Sequence, residues 1–69
     1  MKRQEVDSSN IDAIGYDEMS QILEIEFRVG LYRYEDVPEY VYDDFMDAES
    51  KGRFFHENIK DVYSYSRIG

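Results

Sequence analysis

The sequence predicts an α+β domain: a three-stranded antiparallel meander packed by one main helix, then a short C-terminal helix and an extended tail. Two observations carry that class. Between residues 9 and 35 apolar side chains recur with period two, and from Val37-Pro38 onward the period changes to 3.6. A third fixes the pairing, because the connections between strands are too short for anything but antiparallel neighbours.

The first strand is read in "SSNIDAIGY", with Ile11, Ala13 and Tyr16 bearing on one side. "DEMSQ" is polar and acidic and makes the first turn. "ILEIEFRVG" is the clearest signal in the chain: Leu23, Ile25 and Phe27 share one face, while Glu24, Glu26 and Arg28 share the other. Gly30 closes that strand with a tight connection. "LYRYED" follows as the third strand, with Tyr32 and Tyr34 on one face and Arg33 opposite. One buried face and one wet face is the expected build.

Pro38 suits a first helical turn, and Glu39 there suits the positive end of the helix dipole. A helix is therefore expected over about 38–50, its stripe of Val41, Phe45 and Ala48 facing the sheet. Gly52 is placed to cap its end, with Lys51 beside the negative pole. Phe55, Ile59 and Val62 repeat at helical spacing and predict a short helix near 56–62. "YSYSRIG" reads as extended, with Tyr63 and Tyr65 on one side. Phe27, Phe45 and Phe55 are the expected core, with Phe27 and Phe45 nearly fully buried. Residues 1–6 are expected to be a flexible N-terminus.

Sixty-nine residues make a single domain, 1–69, and a small one. A core of this size supplies only about 3–5 kcal/mol. No cysteine is present, which removes disulfides and thiolate metal sites. Seven tyrosines and four phenylalanines are the compensation, with oligomerisation as another. No apolar run approaches the roughly 20 residues of a membrane span, and no hydrophobic segment follows the basic Lys2 and Arg3. The expected setting is the cytoplasm of a bacterial or phage-infected cell.

The net charge of −8 is segregated. Residues 1–36 carry −5, residues 37–50 carry another −5, and residues 51–69 carry +2. Such a surface repels phosphate backbones, which disfavours nucleic acid as a general partner.

The pattern also resembles a known family. Its marks are Ser8-Ser9-x-Ile11, Ile14-Gly15-Tyr16, and the run Leu23-x-Ile25-x-Phe27-x-x-Gly30-x-Tyr32-x-Tyr34. Val37-Pro38 follows, then Ala48-x-Ser50-x-Gly52-x-x-Phe55, Ile59 and Tyr63-x-Tyr65. Across residues 6 to 67 this is similar to the KTSC domain, found at the C-terminus of some lysyl-tRNA synthetases and as stand-alone bacterial and phage proteins. The resemblance implies a compact α+β module and implies no catalytic activity. Two positions depart from the pattern, His56 where Asn is usual and Ser64 where Pro is common. Asn would cap a helix better than His, so the start of the second helix is the boundary this departure touches.

Candidate chemistry is sparse. His56 with Glu57 and Asp61 makes no recognisable metal or acid–base spacing, and reads as a partly exposed histidine at a helix start. Ser8 or Ser9 lacks the elbow and oxyanion loop that a nucleophile needs. Asp43, Asp44 and Asp47 spread around a helix rather than converging, so they read as a solvated face. No catalytic residue, cofactor or metal is expected.

The tyrosines exceed what the core requires, and tyrosine gives large contact area at low entropy cost. The expected function is thus a non-catalytic binding module for a protein partner, in the manner of a phage or prophage accessory protein acting on a host factor. Its contact residues would be Tyr32, Arg33, Tyr34, Tyr40, Asp43, Asp44 and Asp47. The alternative is capture of a small phosphate-bearing ligand such as a nucleotide by Arg53, Lys60, Tyr63, Tyr65 and Arg67, stacking a base while pairing its phosphate. An RNA- or tRNA-associated role is the second alternative, opposed by the charge.

Overall fold

A computed structural model describes all 69 residues. The chain runs β1 (Arg3–Glu5), β2 (Ile11–Asp17), β3 (Ile22–Phe27), β4 (Gly30–Tyr34), α1 (Glu39–Asp47), α2 (Lys51–Asn58) and β5 (Tyr65–Arg67). The five strands lie in chain order in one sheet, each antiparallel to its neighbour. Both helices are inserted between β4 and β5. The α+β class and the meander agree with the sequence, whereas the expected three strands are five. β1 comes from the stretch read as a flexible tail, and β5 from the segment read as extended. Each has only three residues, all exposed, so backbone pairing rather than apolar alternation builds it.

The core lies between one sheet face and the helices. Ile11, Ile14, Leu23, Ile25, Tyr34, Val37, Val41, Phe45, Phe55 and Ile59 form a single buried cluster. A bulge corrects the reading of β2: Ile11 faces Phe27 and Ala13 faces Glu26, leaving Asp12 as an extra residue. Ile11 and Ile14 therefore share the helix side, and Ala13 turns to the opposite face. Phe45 is fully buried as expected. Phe27 is not; it is half-buried at the sheet's end, with its ring edge-on to Tyr32 and Phe55.

The helix boundaries also differ from expectation. One helix over 38–50 and another over 56–62 are replaced by α1 and an earlier α2. Ser50 Oγ accepts from the Arg53 backbone N–H at 3.2 Å, an N-cap that starts α2 at Lys51. Gly52 thus stands in the first turn of α2 instead of capping α1, and His56 lies in its last turn rather than at its start. Lys51 does serve the end of α1, donating through Nζ to the carbonyls of Met46 and Ala48 at 2.9 and 2.6 Å. α2 stops at Asn58, and Asp61 adopts a left-handed φ of 64° that turns the chain back toward β5. Val62 accordingly leaves the expected stripe and is 60% exposed. Phe55 and Ile59 keep it.

Candidate functional site: an aromatic groove at the open end of the sheet

Because α2 is short, it roofs only part of the sheet. Alternation along β4 points Tyr32 and Tyr34 toward the helix side, and the β4–β5 register sets Arg67 opposite Tyr32 and Tyr65 opposite Tyr34. Tyr65 then packs on both β4 tyrosines, at ring-centroid distances of 5.7 and 5.5 Å. Phe55 from α2 meets Tyr34 edge-on at 5.7 Å and Phe27 at 5.1 Å. The Asp61 turn carries Lys60 and Asp61 to the rim. The result is a groove of about 270 Å³ walled by Phe27, Val29, Tyr32, Tyr34, Phe55 and Tyr65.

Its polar groups are few. Burial, with Tyr65, Tyr32 and Asp61 nearby, pushes the Tyr34 phenol up to about 12, so it remains a neutral donor at physiological pH. Tyr16 is the one tyrosine whose hydroxyl is bound inside the chain, donating to the Val37 carbonyl. Arg67 donates through Nη2 to the Val29 carbonyl at 2.7 Å and through Nε to that of Gly69 at 3.1 Å. Its guanidinium lies 5.9 Å from the Tyr32 ring centre. Gly30 pairs with Phe27 across the two-residue turn of Arg28 and Val29, the tight connection expected there, and a Cβ on it would stand 2.8 Å from Nε of the flexible Arg67 side chain.

A second concavity of about 260 Å³ adjoins the first. Asn10, Ile11, Arg28, Gly52 and His56 line it, and it shares Phe27, Val29 and Phe55 with its neighbour.

The residues expected to bind a partner separate into three places. Tyr40, Asp43, Asp44 and Asp47 recur at helical spacing and are exposed together on the outer face of α1. Tyr32 and Tyr34 floor the aromatic groove. Arg33 is on the opposite sheet face, ion-paired to Glu24 at 3.1 Å, so it forms no common surface with the tyrosines flanking it. Strand alternation requires that separation.

The alternative anion set divides as well. Lys60, Tyr65 and Arg67 gather at the groove. Arg53 pairs with Glu57 along α2 at 3.3 Å, beside the corner between the helices. Tyr63 is half-buried against the core, its phenol raised by burial and by Tyr40. The expected rim of Arg53, Lys60 and Arg67 is therefore not one rim.

At the other end of the molecule, acidic groups crowd the start of α1. Glu39 is raised first by the charge of Glu18, then by burial and Asp43. Asp17 is held down by hydrogen bonds from the Ser20 side chain and the Met19 backbone. No three His, Asp or Glu side chains come together to hold a metal ion.

The sequence model of the KTSC domain matches residues 7–63. The chain belongs to the KTSC domain family. A crystal structure of a KTSC domain protein from Yersinia pestis superposes with a TM-score of 0.97 at 49% identity, covering 99% of this chain and 97% of that one. An uncharacterized protein of Stutzerimonas stutzeri is 47% identical, over 99% of both chains. A lysine–tRNA ligase of a Nostoc species is 36% identical over 90% of this chain, which corresponds to 11% of the ligase. In this KTSC domain the matched span holds β2 to α2 and thus the Phe27, Tyr32, Tyr34 and Phe55 part of the groove. Tyr65 and Arg67, which complete it, follow the matched span.

Sequence reasoning missed Phe27 and Phe55 as groove residues, since both read as core. It also missed Arg3 and Glu24, which meet across β2 at 2.8 Å on the open sheet face. Only a knowledge of the strand order would have joined them.

Proposed function

We propose that this KTSC domain is a non-catalytic binding module that takes an apolar side chain of a protein partner into its aromatic groove. The observation that supports this is the unroofed cluster of Phe27, Tyr32, Tyr34, Phe55 and Tyr65. Five rings border a concavity that no segment of the chain fills, and Val29 and Tyr65 beside it are 78% and 59% exposed. Concave aromatic surfaces with few polar groups are the usual seats of anchoring side chains. His56 contributes no acid–base partner to this reading; its ring lies edge-on to Phe55.

A nucleotide is the second reading, favoured by Lys60 at the rim of a tyrosine-lined groove, where a base could stack while its phosphate meets the ammonium. It has less support, because Arg53 is elsewhere and Arg67 is occupied by two carbonyls. Titrating the isotope-labelled chain with the N-acetyl amides of tryptophan and leucine, and separately with AMP, separates the two. The amides should shift the backbone resonances of Tyr32, Tyr34, Phe55 and Tyr65. Shifts there from AMP alone would replace the protein partner with a nucleotide.

A further inference from the structure

We propose that the segment this groove receives is proline-rich, laid across it as a polyproline II helix with a backbone carbonyl on the Tyr34 hydroxyl. This rests on the protein-binding reading above and names the partner's chemistry. Tyr34 is only 4% exposed, and its hydroxyl meets no acceptor within the chain; the one tyrosine hydroxyl that does is Tyr16. No fully enclosed side-chain oxygen of the molecule lacks a partner, so the Tyr34 hydroxyl opens into the groove that its ring lines. An unpartnered donor on an otherwise apolar floor calls for an acceptor from outside.

The surroundings set what that acceptor is. Lys60 and Asp61 stand together at the rim and offset each other, so the groove selects neither sign of charge. Burial raises the Tyr34 phenol first, with Tyr65, Tyr32 and Asp61 adding to it, and the Asp61 charge equally opposes a phosphate or carboxylate placed there. A neutral carbonyl is the acceptor left. An ordinary extended peptide offers carbonyls, but it would also press N–H groups against the rings and Val29, whose own carbonyl already accepts from Arg67. Proline has no N–H, and a polyproline II backbone keeps its carbonyls free for donors such as the Tyr32 and Tyr65 hydroxyls. Its rings are apolar and its conformation is set before binding, the basis on which proline-rich segments dock in aromatic-lined grooves. At about 270 Å³ the groove is smaller than a drug-sized cavity, so it holds one or two rings and leaves the rest of the segment in solvent.

Two uncharged, end-blocked heptapeptides test this on the intact chain: Ser-Pro-Pro-Leu-Pro-Pro-Ser and Ser-Ala-Ala-Leu-Ala-Ala-Ser. Amide shifts of the isotope-labelled chain locate the binding and, followed through a titration, read affinity. The proline peptide should shift Tyr32, Tyr34, Phe55 and Tyr65 and bind about tenfold tighter than the alanine one. Tyr34→Phe, which removes one oxygen and should melt close to the parent chain, should weaken the proline peptide about two- to tenfold. Equal binding of the two peptides to the parent chain overturns the proline-rich partner and leaves the groove reading standing. Undiminished binding by a folded Tyr34→Phe overturns the carbonyl contact on which the proposal stands. Shifts from the apolar amides but from neither peptide overturn the proposal alone, and if neither amides nor peptides shift the groove residues, both readings fall. A short single-stranded RNA that shifts them where the proline peptide does not overturns the proposal in favour of nucleic acid.

Discussion

Glu24 shows what a single position can hide. Alternation assigns it correctly to the face away from the core, yet it is 7% exposed, because two arginines converge on its carboxylate. Arg33 comes from the adjacent strand β4, while Arg3 reaches from β1 across β2. Gly15 makes that crossing possible: a Cβ there would stand 2.7 Å from Arg3 Cγ and 3.2 Å from the Lys2 carbonyl. Gly15→Ala should therefore push β1 away and cost about 1 kcal/mol, measured by urea unfolding, with amide exchange quickened at Arg3–Glu5. Gly52 predicts the opposite. It lies in the first turn of α2 with nothing within 4 Å of its Cβ position, so Gly52→Ala should stabilise the chain by about 0.5–1 kcal/mol. Equal effects from the two substitutions would refute this account of Gly15. None of it was legible in the sequence, where the two glycines look alike and Arg3 and Glu24 are 21 positions apart.

At the scale of elements, the sequence was legible where one face of a strand or helix is buried by many neighbours. β3 and β4 carry such faces, as do Val41 and Phe45 of α1. Phe45→Ala should cost about 3–5 kcal/mol, enough to abolish a cooperative melt in a domain this small. Phe27→Ala should cost clearly less, since that ring is half-buried and borders the groove; similar losses from both would contradict the burial difference. Boundaries were less legible, because they depend on caps rather than on periodicity. Ser50 could have been read as an N-cap, but Gly52 two residues on suggested an ending. Ser50→Ala should remove about 1 kcal/mol and loosen the first turn of α2, visible as faster exchange at the Arg53 amide. The groove itself depends on two element ends, the stop of α2 at Asn58 and the return of β5. Periodicity marks neither, which is why Tyr65 and Lys60 could be singled out without the cavity that joins them.

For the whole molecule, the tyrosines do two kinds of work: some extend the core, and others remain at its margin. Tyr16, Tyr34 and Tyr63 are all raised, with burial as the largest cause in each. In the unfolded chain these phenols lose their protons near the ordinary value of 10.0, while in the folded chain Tyr34 holds its proton to about 12. Between those values the folded state binds more protons than the unfolded one, so rising pH favours unfolding. The stabilisation from the neutral Tyr34 phenol is complete below pH 10.0 and is lost as pH climbs toward about 12. Urea midpoints measured from pH 9 upward should fall across that interval. Other groups titrate there too, so the decisive comparison is Tyr34→Phe, which removes this one proton and little packing. Its midpoint should fall less steeply with pH than that of the parent chain. Parallel curves for the parent chain and Tyr34→Phe would mean that the Tyr34 hydroxyl is solvated in the folded state, and that the groove is wetter at its floor than its geometry implies.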